Sequence, residues 1–229
     1  MKGSIPFQAT WIVKQVVPSR RLCGLQSEFE SHLSTKKNNM ESRAVISNSG
    51  LYRYELHREW DIAKGKVLFI MLNPSTADGW ENDLTTVRCM NFATKWGYGG
   101  ISIGNIYPFR AKRPKDLRKW LKAYDGERPE AYENNTSHVG AMASEADLVV
   151  CAWGCNYKEG IPEWIDELDV PLYYLEMCKD GITPKHPLGN LSKDLKPKMI
   201  DLDPTVDMTE WLIDNDCGDW WNGPEGPHY

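Results

Sequence analysis

Hydrophobic residues recur from residue 51 onward in short runs that alternate with amphipathic stretches. Residues 51–56 alternate between apolar and polar side chains, as an edge strand does, whereas residues 67–72 are continuously apolar, as in a strand buried on both faces. Further strands are predicted at residues 101–106, 147–154 and 171–175, and helices at residues 83–96, 112–124, 130–146, 162–168 and 208–213. Strands separated by helices indicate a three-layer α/β/α fold around a mostly parallel central sheet.

The same pattern divides the chain into three parts. Residues 1–47 show little periodicity and have a polar break at residues 36–39, which indicates an irregular extension. Residues 48–205 hold the predicted α/β domain, and residues 206–229 form an acidic tail. The aromatic residues of this tail, which are suited to anchor a protein partner, are Trp220, Trp221 and Tyr229. At about 150 residues per domain, the 229 residues fit one domain with appendages or two very small ones.

Composition excludes several classes of protein. The chain has 27 Lys and Arg against 32 Asp and Glu, for a formal net charge of −5. No apolar run approaches the roughly 18 residues of a membrane span, and the N-terminus lacks the apolar segment and cleavage site of a secretion signal. We therefore expect a cytoplasmic protein without a membrane partner. The negative charge disfavours a general nucleic-acid coat but leaves room for a local basic groove.

The residues that commonly bind metals have more ordinary explanations here. Of the six cysteines only Cys151 and Cys155 are close, and their C-x3-C spacing lacks a second pair. Because Cys151 also lies in an apolar run, free buried thiols are favoured over structural zinc. Asp78 and Asp83, with Glu81 between them, fit a metal or acid–base cluster, but caps of the following helix are favoured. We expect no metal and no cofactor.

Polar residues follow each predicted buried strand. In an open α/β sheet, ligands bind beyond the carboxyl ends of the strands, so these residues are candidates for one shared crevice. They are residues 73–78 after the first central strand, Asn105 with residues 107–109 after the second, Trp153 and Gly154 after the third, and residues 185–187 beyond the fourth.

Four of these segments resemble, in order, motifs of the uracil-DNA glycosylase superfamily. Residues 71–75 resemble its strand that ends in an Asn-Pro turn, and residues 103–108 resemble its strand that ends in a base-reading Asn shortly before a Pro. Residues 149–154 are similar to its late valine-rich strand ending in glycine, and residues 185–190 to its histidine loop. The resemblance spans about residues 66 to 192 and implies a uracil-DNA glycosylase-like fold.

A closer match concerns a second family. Residues 72–78, which read LNPSTAD, together with the downstream residues 105–108, are identified as the signature of a bacterial and phage domain family of unknown function. This match adds no activity to the glycosylase resemblance.

The glycosylase resemblance assigns roles to individual residues. Asn73 would hold the attacking water, His186 would stabilise the departing base, and Asn105 would read the base edge with its paired donor and acceptor. Side chains that could stack on a flipped base, or line its site, are Trp80, Phe109 and Trp153. Candidates for contacts to a nucleic-acid backbone are Ser75, Thr76, Lys112, Arg113, Lys115, Arg118 and Asn190.

Plainer interpretations of the same residues stay open. An Asn-Pro after a strand is commonly a turn, and a histidine between two prolines at 184 and 187 is commonly a surface loop residue. Asn105 fits the end of a strand, and the basic run at residues 112–122 fits a solvated helix face.

Two functions from different classes follow from these residues. The first is a DNA glycosylase-like enzyme that hydrolyses the N-glycosidic bond of uracil or a modified base in DNA. The second is a non-catalytic protein that binds a nucleotide or nucleic acid and retains the crevice without the chemistry. Release of free base from a labelled oligonucleotide distinguishes the two.

Overall fold

A computed structural model describes the backbone of residues 12–16 and, in full, residues 40–75, 82–123, 130–157 and 159–201. Its strands are β1 (Ile12–Val16), β2 (Glu41–Ile46), β3 (Arg53–Glu59), β4 (Lys66–Met71), β5 (Gly100–Asn105), β6 (Leu148–Cys151), β7 (Leu172–Tyr174) and β8 (Lys198–Met199). Its helices are α1 (Leu84–Lys95), α2 (Pro114–Ala123), α3 (Glu130–Glu145) and α4 (Glu163–Asp166), with a 3-10 turn at Ile62–Lys64.

The strands form one mixed sheet in the order β1-β2-β3-β5-β4-β6-β7-β8. Strands β5, β4, β6 and β7 are parallel neighbours, whereas β1, β2 and β3 join one side of this block, and β8 the other, by antiparallel pairing. The α/β class is therefore confirmed, but the expectation of a mostly parallel sheet is wrong. For β2 and β3 the physical reason is that the link between them is too short for the crossover that parallel pairing requires.

Helices cover both faces of the parallel block. Val67 and Phe69 of β4 pack with Phe92 of α1 on one face, while Leu68 of β4 packs with Val139 of α3 on the other. Because both faces of β4 are covered, its sequence is continuously apolar. Asp83 is the N-cap of α1: its side chain accepts a hydrogen bond at 2.8 Å from the backbone N–H of Thr86. The N-cap interpretation of Asp83 therefore agrees with the structure.

Strand β3 differs from the edge strand predicted at residues 51–56. It begins at Arg53, lies between β2 and β5, and is buried along nearly its whole length. Its partner β2 comes from residues 1–47, which we expected to be an irregular extension. In the sequence, the alternating polar residues of β3 suggest a face exposed to solvent. In the structure these residues are buried, and Glu55 contacts both His57 of β3 and His138 of α3.

Of the two cysteines expected to be free buried thiols, Cys151 is one and Cys155 is not. Cys155 forms a disulfide with Cys178, whereas Cys89 and Cys151 are free and buried. Because β6 and β7 are parallel neighbours, the loops beyond their carboxyl ends run side by side and bring the two Cα atoms to 5.7 Å. In the described ranges no helix is long and apolar enough to span a membrane. The helix predicted at residues 208–213 and the aromatic tail lie outside those ranges.

Candidate functional site

A pocket of about 340 Å³, measured with its open mouth, lies at the carboxyl ends of β4 and β5. Asn73 and Ser75 follow β4, Asn105 ends β5, and the first turn of α1 forms another wall. The lining residues are Arg53, Met71, Asn73, Ser75, Asp83, Thr85, Thr86, Ile103, Asn105 and His186. The structure thus brings Asn73, Ser75, Asn105 and His186, which come from three separate predicted segments, to one pocket.

Asn105 presents an unpartnered amide to this pocket. The residue is only 1% exposed, and neither its side-chain oxygen nor its side-chain nitrogen has a hydrogen-bond partner in the described parts of the chain. Its backbone oxygen, by contrast, accepts a hydrogen bond from Asn135 of α3 at 2.8 Å. The backbone of Asn105 is therefore held in place, while its side-chain NH2 group is available as a hydrogen-bond donor and its side-chain oxygen as an acceptor.

Asn73 is oriented by the loop that follows β5. Its Nδ2 donates to the backbone oxygens of Pro74 at 3.1 Å and Ala111 at 3.0 Å, and the backbone N–H of Ala111 donates to Pro74. Because the amide nitrogen is used in this way, the amide oxygen is the atom with which Asn73 can bind a ligand or a water.

His186 is held in a defined tautomer beside the sheet. The backbone N–H of Leu188 donates to its Nδ1 at 3.2 Å, so Nδ1 is an acceptor and the proton of the neutral ring lies on Nε2. Burial lowers the pKa of His186, and the negative charge of Asp83 opposes this shift only in part. His186 is therefore a neutral hydrogen-bond donor at neutral pH.

Asp83 supplies a negative charge to the pocket wall. Its Oδ1 accepts hydrogen bonds from the backbone N–H and the Oγ1 of Thr86, each at 2.8 Å, and its Oδ2 accepts one from Ser75 Oγ. Burial pushes the pKa of Asp83 upward, but these hydrogen bonds and the charge of Arg53 outweigh it, and the pKa lies below its usual value. The carboxylate stays ionised.

Arg53 reaches the pocket because of an irregularity in β3. Val45 pairs with Glu55 and Ile46 with Arg53, so Tyr54 is an extra residue in the register. Tyr54 stacks on His138 of α3, and Glu55 accepts a hydrogen bond from the same histidine. Because both side chains lie on the α3 face of the sheet, Arg53 lies on the opposite face. Neither the register shift nor this exchange of faces is visible in an alternating sequence, and the pocket role of Arg53 was missed for that reason.

Other candidates lie elsewhere. Trp153 is 2% exposed and packs in the core on the α3 face, because the preceding Ala152 occupies the α1 face. Phe109 is not among the lining residues of the pocket: its ring stacks on Trp120 at 5.3 Å, and its backbone oxygen accepts a hydrogen bond from Asn73. The exposed candidates are Lys112, Arg113, Lys115, Arg118 and Asn190, and Thr76 and Trp80 lie outside the described residues.

The described residues bring no three His, Cys, Asp or Glu side chains together in a group that could hold a metal ion. The polar groups of the pocket are instead two amides, one imidazole, hydroxyls and one pair of opposite charges. Such groups bind through hydrogen bonds and fixed charges.

Fold and site together define an α/β protein with a polar pocket at the carboxyl ends of two parallel strands. The chain belongs to the family described as "Protein of unknown function (DUF1643)", whose model matches residues 53–188. The matched range begins at Arg53 and includes His186, and so it contains every lining residue of the pocket. Comparisons with curated proteins and with solved structures found no match.

Proposed function

We propose that this protein is a DNA glycosylase-like enzyme that recognises a nucleobase and hydrolyses the N-glycosidic bond of uracil or a modified base in DNA. The observation that carries the proposal is the buried, unpartnered amide of Asn105. An unsatisfied buried polar group costs about 1–3 kcal/mol, which a ligand can recover by bonding to it. The edge of a uracil-like base offers an acceptor oxygen beside a donor N–H, which matches the two functions of one amide.

The remaining pocket groups suit the chemistry of hydrolysis. In that reaction the C1′–N bond breaks and its electron pair leaves on the base, while the oxygen of a water bonds to C1′ and one proton of that water passes to the departing base. Nε2–H of His186 can donate to the negative charge that develops on the base. The amide oxygen of Asn73, held by Pro74 and Ala111, can position the water.

Helix α2 and the two residues before it give the proposal a surface for the DNA backbone. The segment leading into it is bonded to the Asn73 loop, since Asn73 donates to Ala111 and Ala111 donates to Pro74. The exposed basic residues that follow are Lys112, Arg113, Lys115 and Arg118. Their positive charge is next to the pocket loop, where phosphates flanking a bound nucleotide would need it.

Release of free base tests the proposal. Single- and double-stranded oligonucleotides containing uracil, 5-hydroxymethyluracil or other altered bases are incubated with the protein, and the released bases are measured by mass analysis. We expect Asn73→Ala and His186→Ala each to lower turnover by about 100-fold, as expected for loss of one preorganised group. Asn105→Asp should change which base is accepted, because it replaces a donor by an acceptor.

The control is Asn156→Ala, which removes an exposed asparagine that does not line the pocket. It should leave turnover unchanged. If the folded wild type releases no base from any substrate, the protein is not a glycosylase. Binding of a base-containing ligand that is lost in Asn105→Asp would then favour the non-catalytic binding function.

Salt dependence tests the role of α2 and of the two basic residues before it. Replacing Lys112, Arg113, Lys115 and Arg118 by Gln should reduce the slope of log affinity for duplex DNA against log salt by about 0.9 for each phosphate that these side chains neutralise in the wild type. A matched control neutralises the same number of exposed lysines in other segments, namely Lys179, Lys193, Lys196 and Lys198. Equal slopes for the two variants would leave α2 as a solvated helix.

A further inference from the structure

Asn135 of α3 contacts the end of β5 from the face of the sheet opposite the pocket. It is 0% exposed, and its Nδ2 donates to the backbone oxygens of Asn105 at 2.8 Å and Ile106 at 3.3 Å. Its Oδ1 is buried and has no hydrogen-bond partner in the described parts of the chain. A buried polar atom without a partner costs stability. Packing therefore does not explain why an amide stands here, whereas its two bonds to the end of β5 do.

The end of β5 needs this support because its two neighbouring strands pair with it over different lengths. The pairing of β4 with β5 continues as far as Met71 and Asn105. The pairing of β3 with β5 ends earlier, at Leu56 and Ile103. Asn105 thus lies beyond the ladder on the β3 side, and the hydrogen bonds from Asn135 hold its backbone where that ladder no longer does.

Gly104, the residue before Asn105, allows α3 to come this close to β5. A Cβ built on Gly104 would meet Cγ2 of Val139 at 3.0 Å and Cε of Met142 at 3.1 Å, and both of these residues belong to α3. Distances this short are tighter than ordinary side-chain packing, so alanine at this position would push the helix away from the strand. Gly104 and Asn135 therefore both serve the approach of α3 to the backbone of Asn105.

We infer that Asn135 is a positioning residue for Asn105: it fixes the end of β5 from the far face of the sheet, so that the Asn105 amide faces a bound base in one orientation. This inference rests on the proposed function, in which Asn105 reads the base edge. Within the described chain the Asn105 amide has no hydrogen-bond partner, so its direction depends on its backbone and its packing. A small rotation of that backbone would misalign both hydrogen bonds to the base at once. Asn135 itself is not among the residues that line the pocket.

The first test compares two oligonucleotides that differ at the base atom that Asn105 is expected to read. One carries uracil and the other 3-methyluracil, in which a methyl group replaces the N–H donor of the base edge. Both carry a 2′-fluorine on the target sugar, which destabilises a positive sugar and so suppresses cleavage during the binding measurement. The wild type should bind the uracil probe about 10-fold more tightly, because the methylated base leaves the buried amide unmatched.

Asn135→Leu removes both hydrogen bonds and keeps a side chain of similar size. It should reduce the preference for uracil to about 3-fold or less, because the Asn105 amide is no longer held in one orientation. An unchanged preference in the folded variant would overturn the inference and leave the proposed function intact.

The matched control is Ser102→Ala, on the same strand and the same face as the contact with α3. Ser102 is 0% exposed and shares a hydrogen bond of 2.9 Å with Nδ1 of His57, but it does not line the pocket. Its loss should lower the melting temperature, as Asn135→Leu also should, and yet leave the preference for uracil at the wild-type value. Loss of the preference in both variants would show that any weakening of β5 has this effect, and it would overturn the inference.

Gly104→Ala is the second variant and serves if Asn135→Leu fails to fold. It keeps the Asn135 side chain but moves α3 away from β5, so it should reduce the preference for uracil in the same direction. A wild-type preference in folded Gly104→Ala would contradict the role of the close approach.

The NMR signals of the Asn105 side-chain amide separate failure of the inference from failure of the proposed function. They should shift and broaden in Asn135→Leu and Gly104→Ala, and stay near their wild-type positions in Ser102→Ala, whether or not the protein cleaves DNA. If the wild type releases no base and does not prefer uracil, the proposed function fails, and these signals alone decide whether Asn135 positions the amide. Wild-type signals in Asn135→Leu would overturn the inference.

Discussion

At the scale of single residues, Gly154 determines how closely the histidine loop approaches the sheet. Its φ is +91°, and a Cβ built on it would lie 3.0 Å from Cβ of His186. Its backbone N–H donates to Pro184 at 2.9 Å, which joins the end of the β6 segment to the loop that carries His186. Only glycine combines this backbone conformation with this contact at low cost.

Substituting Gly154 by Ala should therefore disturb both the backbone and His186. We expect a loss of about 1–3 kcal/mol in the free energy of unfolding, because a non-glycine residue is strained at this φ. The pKa of His186 should move back up toward its ordinary value as the loop shifts outward and burial decreases, which an NMR titration would show.

The control is Gly140→Ala in α3, where the built Cβ would meet only Leu168 at 3.8 Å. That variant should be unchanged or more stable by about 0.5–1 kcal/mol. Equal stability of the two variants would contradict this view of Gly154.

At the scale of elements, the sequence predicted what depends on local pattern and missed what depends on pairing. Strand β4, helix α1 and strand β5 were predicted within two residues of their bounds, because continuous apolar runs and helical spacing are local signals. Asn73, Asn105 and His186 were chosen because they follow strands, and the parallel block places them at one edge. Strand β3 was misread because its charged residues are satisfied by residues far away in the sequence. No local pattern reveals that Glu55 will meet His138.

The cluster of Glu55 with His57 and His138 joins β3 to α3. The Glu55 carboxylate accepts hydrogen bonds from His57 Nε2 at 2.7 Å and His138 Nδ1 at 2.6 Å. Burial pushes the pKa of Glu55 upward, but these bonds and the histidine charges outweigh it and hold the pKa well below the ordinary value of 4.5. A lowered pKa means that the folded state gains stability above pH 4.5 and loses it as the pH falls toward the folded-state pKa.

We expect Glu55→Gln to remove this part of the pH dependence. The wild type should lose stability steadily below about pH 5, whereas the variant should show a flatter curve over that range. At pH 7 the variant should be less stable by about 1–3 kcal/mol, because a buried charged hydrogen-bond acceptor is replaced by a neutral amide. The control is Glu145→Gln, whose carboxylate pairs with Lys66 at the surface and should cost less than about 1 kcal/mol. Denaturant unfolding across pH measures both, and parallel curves for the wild type and Glu55→Gln would contradict the assignment.

At the scale of the whole molecule, the pocket is built from two parts that meet at the carboxyl edge of the parallel strands. One part consists of the ends of β4 and β5 with the starts of β3 and α1, and it is held by the core between α1 and the sheet. The other part is His186, which belongs to a long loop after β7 with little regular structure of its own. The disulfide between Cys155 and Cys178 ties this loop to the segment after β6, and Gly154 makes its contact with the loop one residue before Cys155. The geometry of the pocket therefore depends on a covalent link outside it.

Removing this link should loosen the histidine loop without unfolding the sheet. The bond joins residues that are 23 positions apart, and closing a loop of that size is worth about 3 kcal/mol. We expect the double variant Cys155→Ser, Cys178→Ser to lose about that much stability and to show faster amide hydrogen exchange at residues 176–186, while β4 and β5 remain protected.

Because Cys155 is exposed, a reductant should convert the wild type to the behaviour of the variant, and it should leave the variant itself unchanged. If the reductant changes neither the stability nor the exchange of the wild type, the histidine loop is held by its noncovalent contacts alone, and the bond to Gly154 becomes the main connection between the two parts of the pocket.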